Sequence, residues 1–213
     1  MTPRQAAAFF RRLAEVMPAP QTELEYQDPY TLLVAVILSA QATDVGVNKA
    51  TAKLFEVAST PEAMVALGEE GLIPYIRTIG LFRNKAKAIV AMSRRLLEVH
   101  GGRVPNDREG LEALPGVGRK TANVVLNTAF GHATIAVDTH VFRVANRTGL
   151  APGKTPRDVE RGLEAVVPKK YARHAHHWLI LHGRYTCTAR RPRCPECVVR
   201  DLCAYPAKTV VSG

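Results

Sequence analysis

No run of 18 apolar residues occurs anywhere in this chain, so no membrane-spanning helix is expected. The longest apolar stretch, around Leu32–Leu38, is far too short. A secretory leader is not expected either, because Arg11 and Arg12 stand where such a leader needs its apolar stretch. The segment around them reads instead as a first amphipathic helix. Cysteine is missing before position 187. In the reducing cytoplasm that these absences imply, disulfides are rare, and the few cysteines present read as ligands. Strict apolar–polar alternation is scarce, which argues against a sheet, and there is no internal repeat and no low-complexity tract. Acids are in deficit. Against 29 Lys and Arg stand only 19 Asp and Glu, for a net charge of +10. An excess that large favours a polyanionic partner, and nucleic acid fits it better than a membrane surface.

What is present reads as helix. At 213 residues, 46% of them hydrophobic, the chain can bury a sizeable core. Apolar residues recur at three- and four-residue spacing over Tyr30–Ala40, Val45–Ala58, Lys85–Val99, Gly118–Phe130, Thr139–Thr148, Pro156–Val166 and Tyr171–Tyr185. Asp28-Pro29, Thr60-Pro61 and Thr155-Pro156 each place a capping residue before a proline at the first helical position. Gly101-Gly102, Gly149 and Gly153 punctuate helix ends. Ala133–Val137 is short, apolar and β-branched, and reads as a buried connector. The fold class is therefore all-α, with nine or ten helices, and Lys208–Gly213 reads as a frayed tail.

All four cysteines fall near the C-terminus, as Cys187-x6-Cys194-x2-Cys197-x5-Cys203. Four thiols in so short a span form one ligand set for a metal or an iron–sulfur cluster. Zinc ribbons use two close pairs, and here only Cys194 and Cys197 make one. The wider gaps suit a [4Fe–4S] cluster better, with zinc and free thiols as the rival readings. A single cluster has no onward electron path within the chain, so its role reads as structural. Arg190, Arg191 and Arg193 lie in the loop between Cys187 and Cys194. Tethered at both ends by ligation, they lose less entropy on meeting phosphates, although a solvated basic turn would look the same. Four of the seven histidines lie between His174 and His182. They read as partly exposed residues of a helix beside Trp178, not as a second metal site.

Leu114-Pro-Gly-Val-Gly-Arg-Lys-Thr121 is a glycine turn leading into a helix. Gly116 and Gly118 would let the backbone approach a ligand and present amide N–H groups to an anion. It is neither a P-loop nor a dinucleotide fingerprint. Lys120 follows in the first helical turn, where the helix dipole and Arg119 both disfavour its ammonium form. A neutral amine there could attack a sugar carbon and form a Schiff base. As a cation, Lys120 would only hold phosphate, and its position alone does not separate the two roles. Asp138, in Ala136-Val-Asp-Thr-His-Val141, fits a helix N-cap. The same carboxylate could stabilise an oxocarbenium-like sugar or move protons.

These phrases, with Leu38-Ser-Ala-Gln-Ala-Thr-Asp44 and His177-Trp-Leu-Ile-Leu-His-Gly-Arg-Tyr-Thr-Cys187, resemble the endonuclease III family over about Tyr30–Tyr205. That family comprises base-excision-repair DNA glycosylases of the helix-hairpin-helix superfamily. The resemblance implies a six-helix barrel domain, about 22–132, that ends in the hairpin. A second, discontinuous domain, 1–21 plus 133–213, would carry a [4Fe–4S] cluster on Cys187, Cys194, Cys197 and Cys203. DNA would lie across the cleft between the two. It also implies removal of oxidised pyrimidines with AP lyase activity, Lys120 as nucleophile and Asp138 as the essential carboxylate. Gln41 and Leu81 would fill the gap left by a flipped nucleotide; ordinary core packing is the rival role for Leu81. Gly116, Gly118, Arg119, Thr121, His140, Arg190, Arg191 and Arg193 would contact DNA. The partner would be double-stranded DNA with damaged bases or abasic sites, with no membrane involved and a monomer sufficient. The adenine-mismatch glycosylases, which share these phrases, lack the lysine and carry a catalytic glutamate on an early helix. Leu32–Leu38 contains no acid.

Overall fold

The computed structural model describes residues 1–210. Ten α-helices and three short 3-10 turns make up its regular structure, and no strand occurs among the described residues. The chain forms two compact units, Thr22–Phe130 and Met1–Gln21 with Gly131–Gly213.

The first unit contains α2 (Pro29–Ser39), α3 (Asp44–Val57), α4 (Pro61–Ile76), α5 (Phe82–His100), α6 (Arg108–Glu112) and α7 (Arg119–Phe130). Helix α2 starts where the Asp28 carboxylate accepts the Thr31 N–H at 2.8 Å and the Thr31 hydroxyl accepts the Asp28 N–H at 3.0 Å. That reciprocal pair satisfies two otherwise orphaned donors. Every residue from Leu32 to Leu38 is buried, because α2 packs against α3, α5 and α7. An all-round apolar run is thus a central helix. Each fully buried Leu contributes about 1.5–3 kcal/mol. Helix α4 is broken inside, at Gly68, whose backbone is non-helical (φ 67°, ψ 176°). Helix α5 ends on Gly101 in the left-handed region (φ 57°), as an αL C-cap requires.

The second unit contains α1 (Pro3–Val16), α8 (Thr139–Thr148), α9 (Pro156–Val166) and α10 (Ala172–Tyr185). Its core gathers Phe9, Phe10, Val144, Leu163, Trp178 and Leu179. The Trp178 indole N–H donates to Met17 O at 2.8 Å, which ties α10 to the end of α1. Ile135 and Ala136 form the buried connector that leads into α8. The histidines of α10 differ from expectation. His176, His177 and His182 are buried, not partly exposed. The reason is that α10 packs against both α8 and α1 and so lies inside its unit. The expected frayed tail is also tied down in part. The Thr209 hydroxyl donates to Pro192 O at 2.5 Å and accepts the Cys194 N–H at 3.2 Å. The rest of that tail, 211–213, lies outside the described residues.

Candidate nucleic-acid interface and cluster site

The glycine turn joins α6 to α7 as a tight hairpin. Leu111, Leu114 and Val117 are buried beneath it. The Leu114 N–H reaches Leu111 O, and the Val117 N–H reaches Leu114 O, each at 3.1 Å. The two glycines serve different ends. Gly116 has φ 76°, and a Cβ there would meet the Ala88 Cβ at 2.8 Å, so it is needed for the hairpin to pack on α5. Gly118 has nothing within 4 Å of where a Cβ would stand. Its backbone is open to an incoming group. Arg119 leans toward Glu112, Nη1 to Oε1 at 3.8 Å. Lys120, the second residue of α7, is exposed, and Thr121 is half-buried.

Gln41 and Leu81 share an unusual backbone. Their φ angles are 57° and 60°, and among the described residues they are the two non-glycine positions with positive φ. Gln41 is exposed. Leu81 is 59% exposed, which rules out core packing as its role. Left-handed geometry at a leucine is strained and persists only where surrounding contacts impose it.

Asp138 caps α8, accepting the Val141 N–H at 2.8 Å. Its side chain is half-buried, so capping leaves the second carboxylate oxygen for other work. The His140 ring sets Nδ1 3.1 Å from Arg143 Nη2. A guanidinium only donates, so Nδ1 is the acceptor in this contact. Arg143 also donates to Cys187 O at 2.9 Å and Gly183 O at 2.8 Å. Burial lowers the pKa of its guanidinium.

All four cysteines are free thiols, and they line one recess with His182, Arg200 and Tyr205 among its walls. Among the described residues, no three His, Cys, Asp or Glu side chains are grouped to hold a single metal ion. Four thiols with no carboxylate among them are the soft donor set that an iron–sulfur cluster takes. Burial, reinforced by the neighbouring cysteines, pushes the Cys197 and Cys203 thiols up. Thiolates collected there need a cationic core to offset that cost. The sequence pattern did not identify the groups around this recess. Arg147 places Nη1 2.7 Å from Thr188 O and 3.7 Å from Cys187 Sγ, Nη2 2.7 Å from Ala189 O, and its guanidinium over the Tyr205 ring at 4.7 Å. His182 Nε2 lies 3.7 Å from Cys197 Sγ. The four-residue spacing of Arg143 and Arg147 on α8 was the readable signal. Of the loop arginines, Arg190 and Arg191 are exposed. Arg193 pairs both sides of its fork with Glu196, which offsets part of its charge.

Over the described residues the geometry defines an all-helical protein with a glycine hairpin open at Gly118 and four thiols lining one recess. A family model described as HhH-GPD superfamily base excision DNA repair protein matches residues 34–169. A second, the iron-sulfur binding domain of endonuclease III, matches 187–203. The chain is 64% identical over 197 residues to Endonuclease III of Escherichia coli (strain K12), covering 92% of this chain and 93% of that one. Identity and coverage are the same for Endonuclease III of Haemophilus influenzae. The fold matches a solved trapped Endonuclease III–DNA covalent intermediate with TM-score 0.90, at 44% identity and 96% coverage of both chains. It matches a thermostable thymine-DNA glycosylase with TM-score 0.83, at 26% identity, covering 95% of this chain and 96% of that one. The chain belongs to the endonuclease III family of base-excision DNA repair proteins. It is a bifunctional DNA glycosylase and AP lyase for oxidised pyrimidines, and it carries a [4Fe–4S] cluster.

Proposed function

We propose that Lys120 is the nucleophile of this enzyme and Asp138 its essential carboxylate. The observation that carries this is the placement of Lys120. It is exposed at the start of α7, one residue past Arg119 and two past the open backbone of Gly118, where a phosphate held by the hairpin would bring its sugar. The target nucleotide leaves the stack, since C1′ cannot be attacked inside the duplex. The neutral Lys120 amine forms a bond to C1′ as the glycosidic bond breaks, and the base leaves with the bonding pair and takes up a proton. Ring opening gives an imine. Loss of a proton from C2′ then expels the 3′ phosphate with its electron pair. Asp138, held by the α8 cap, offsets the positive charge that builds on the sugar.

In this reading Gly116, Gly118, Arg119, Thr121 and His140 hold the strand around the lesion, while Arg190, Arg191 and Arg193 grip phosphates further along. Gln41 and Leu81 occupy the emptied gap. Cys187, Cys194, Cys197 and Cys203 bind the cluster, which holds the basic loop in shape and takes no part in the bond changes. The domains run over 22–132 and over 1–21 plus 133–213. The two compact units support that division. The protein acts as a monomer in the cytoplasm on double-stranded DNA containing damaged bases or abasic sites.

Lys120→Gln tests the assignment. It is expected to bind a lesion duplex with affinity near that of the parent and to lose strand cleavage by about three orders of magnitude or more. Retained cleavage would remove Lys120 from the chemistry.

A further inference from the structure

Lys85 is a buried cation that the proposed chemistry does not use. It lies in the first turn of α5 and is 6% exposed. Its Nζ donates to Leu38 O at 2.8 Å and to Ala40 O at 2.6 Å. Both acceptors are carbonyls at the C-terminal end of α2, where unsatisfied carbonyls and the helix dipole favour a cation. Burial disfavours the ammonium form, so the site accepts an electrostatic cost to keep a charge there. Ala40 immediately precedes Gln41. At its other end, the Lys85 main-chain N–H donates to Leu81 O at 3.0 Å. One residue is therefore bonded to both turns that hold the two positive-φ side chains of the molecule's described part. Two strained turns, far apart in the sequence, are joined through a single side chain and its own amide.

We propose that Lys85 is a positioning residue that fixes Gln41 and Leu81 relative to each other, so that both can enter the base stack at once. The inference rests on the gap-filling reading of those two residues. A strained loop that has to enter a stacked duplex gains most from being set before contact, because the ordering cost is already met in the free protein. Lys85 touches neither substrate nor reacting atoms, and it acts through the turns it holds.

The test compares single-turnover base release from one oxidised pyrimidine placed either in duplex or in a single strand. A single strand has no opposing stack to hold apart, so correct placement of Gln41 and Leu81 matters little there. Lys85→Met is expected to lower the duplex rate about tenfold while changing the single-strand rate less than about twofold. In a Gln41→Ala/Leu81→Ala background the same substitution is expected to be silent, as a double-mutant cycle requires of residues that act as a unit. Lys85→Gln keeps one donor and is expected to fall between parent and Lys85→Met; it also serves if Lys85→Met does not accumulate as folded protein. Equal losses on both substrates, or a full effect in the doubly substituted background, would make Lys85 an ordinary stabilising residue and overturn the proposal. If Gln41→Ala/Leu81→Ala itself leaves the duplex preference intact, the gap-filling reading falls and takes this inference with it. If that variant loses the preference and Lys85→Met does not, the inference alone falls.

Discussion

The glycine hairpin and the cysteine loop are both short basic turns, yet they are held by opposite means. The hairpin rests on apolar burial. Leu111, Leu114 and Val117 are each 6% exposed or less, and Gly116 lets the turn press against α5. The cysteine loop has little apolar surface beneath it. From Cys187 to Cys203 the structure offers only two three-residue 3-10 turns, with Pro192 and Val199 the buried residues. Its shape comes from Arg143 and Arg147, which donate to the carbonyls of Gly183, Cys187, Thr188 and Ala189, and the ligation proposed for its four cysteines would add to that. A turn can be made rigid by packing or by bonding. Only the second kind depends on a cofactor.

Removing one ligand breaks the comparison most severely. Cys194→Ser is expected to lose the cluster and most of the soluble protein together, read as iron content and visible absorbance against soluble yield. A folded, iron-free variant that binds DNA normally would show that the loop is held by something else. Next comes the hairpin. Gly116→Ala forces a side chain into positive φ and against Ala88, at about 2–4 kcal/mol of stability by denaturant unfolding. Gly118→Ala meets open space and is expected to cost about 1 kcal/mol or less, but to weaken DNA binding. Acid acts on the cluster-bearing unit. Burial, with His174 and Arg173 adding to it, lowers His177 from 6.5 to about 4. The folded state resists protonation that the unfolded chain accepts. The stability that His177 contributes is therefore complete above pH 6.5 and is lost as pH falls toward about 4, a loss of roughly 3 kcal/mol. His177→Gln is expected to flatten that slope. The smallest effect is electrostatic. Arg190→Ala with Arg191→Ala is expected to make DNA binding less sensitive to salt. The slope of log affinity against log salt should become shallower by about 0.9 for each phosphate that is no longer neutralised, with melting unchanged.

Much of this was legible because the signals are local. Caps and periodicity placed α8 and α9 at their observed bounds, and the cysteine spacing alone picked out the four residues that line one recess. The break at Gly68 was not read, because Thr60-Pro61 marks only where α4 starts. The buried histidines were misread because polarity in sequence says nothing about which helix ends up central. Lys85 was invisible for a similar reason. Its acceptors lie 47 and 45 residues away in the chain, and they are main-chain carbonyls that every residue possesses. Arg143 and Arg147 were readable in spacing, but only the fold brings the cysteine loop within their reach.

That one lysine beside the hairpin does the covalent chemistry is the central claim. Borohydride trapping on a duplex with a single oxidised pyrimidine tests it directly, with Lys120→Ala run in parallel. A stable protein–DNA adduct is expected with the parent and none with the variant, while both bind the duplex. An adduct that survives in Lys120→Ala, or its absence in a parent that still releases base, would contradict the claim.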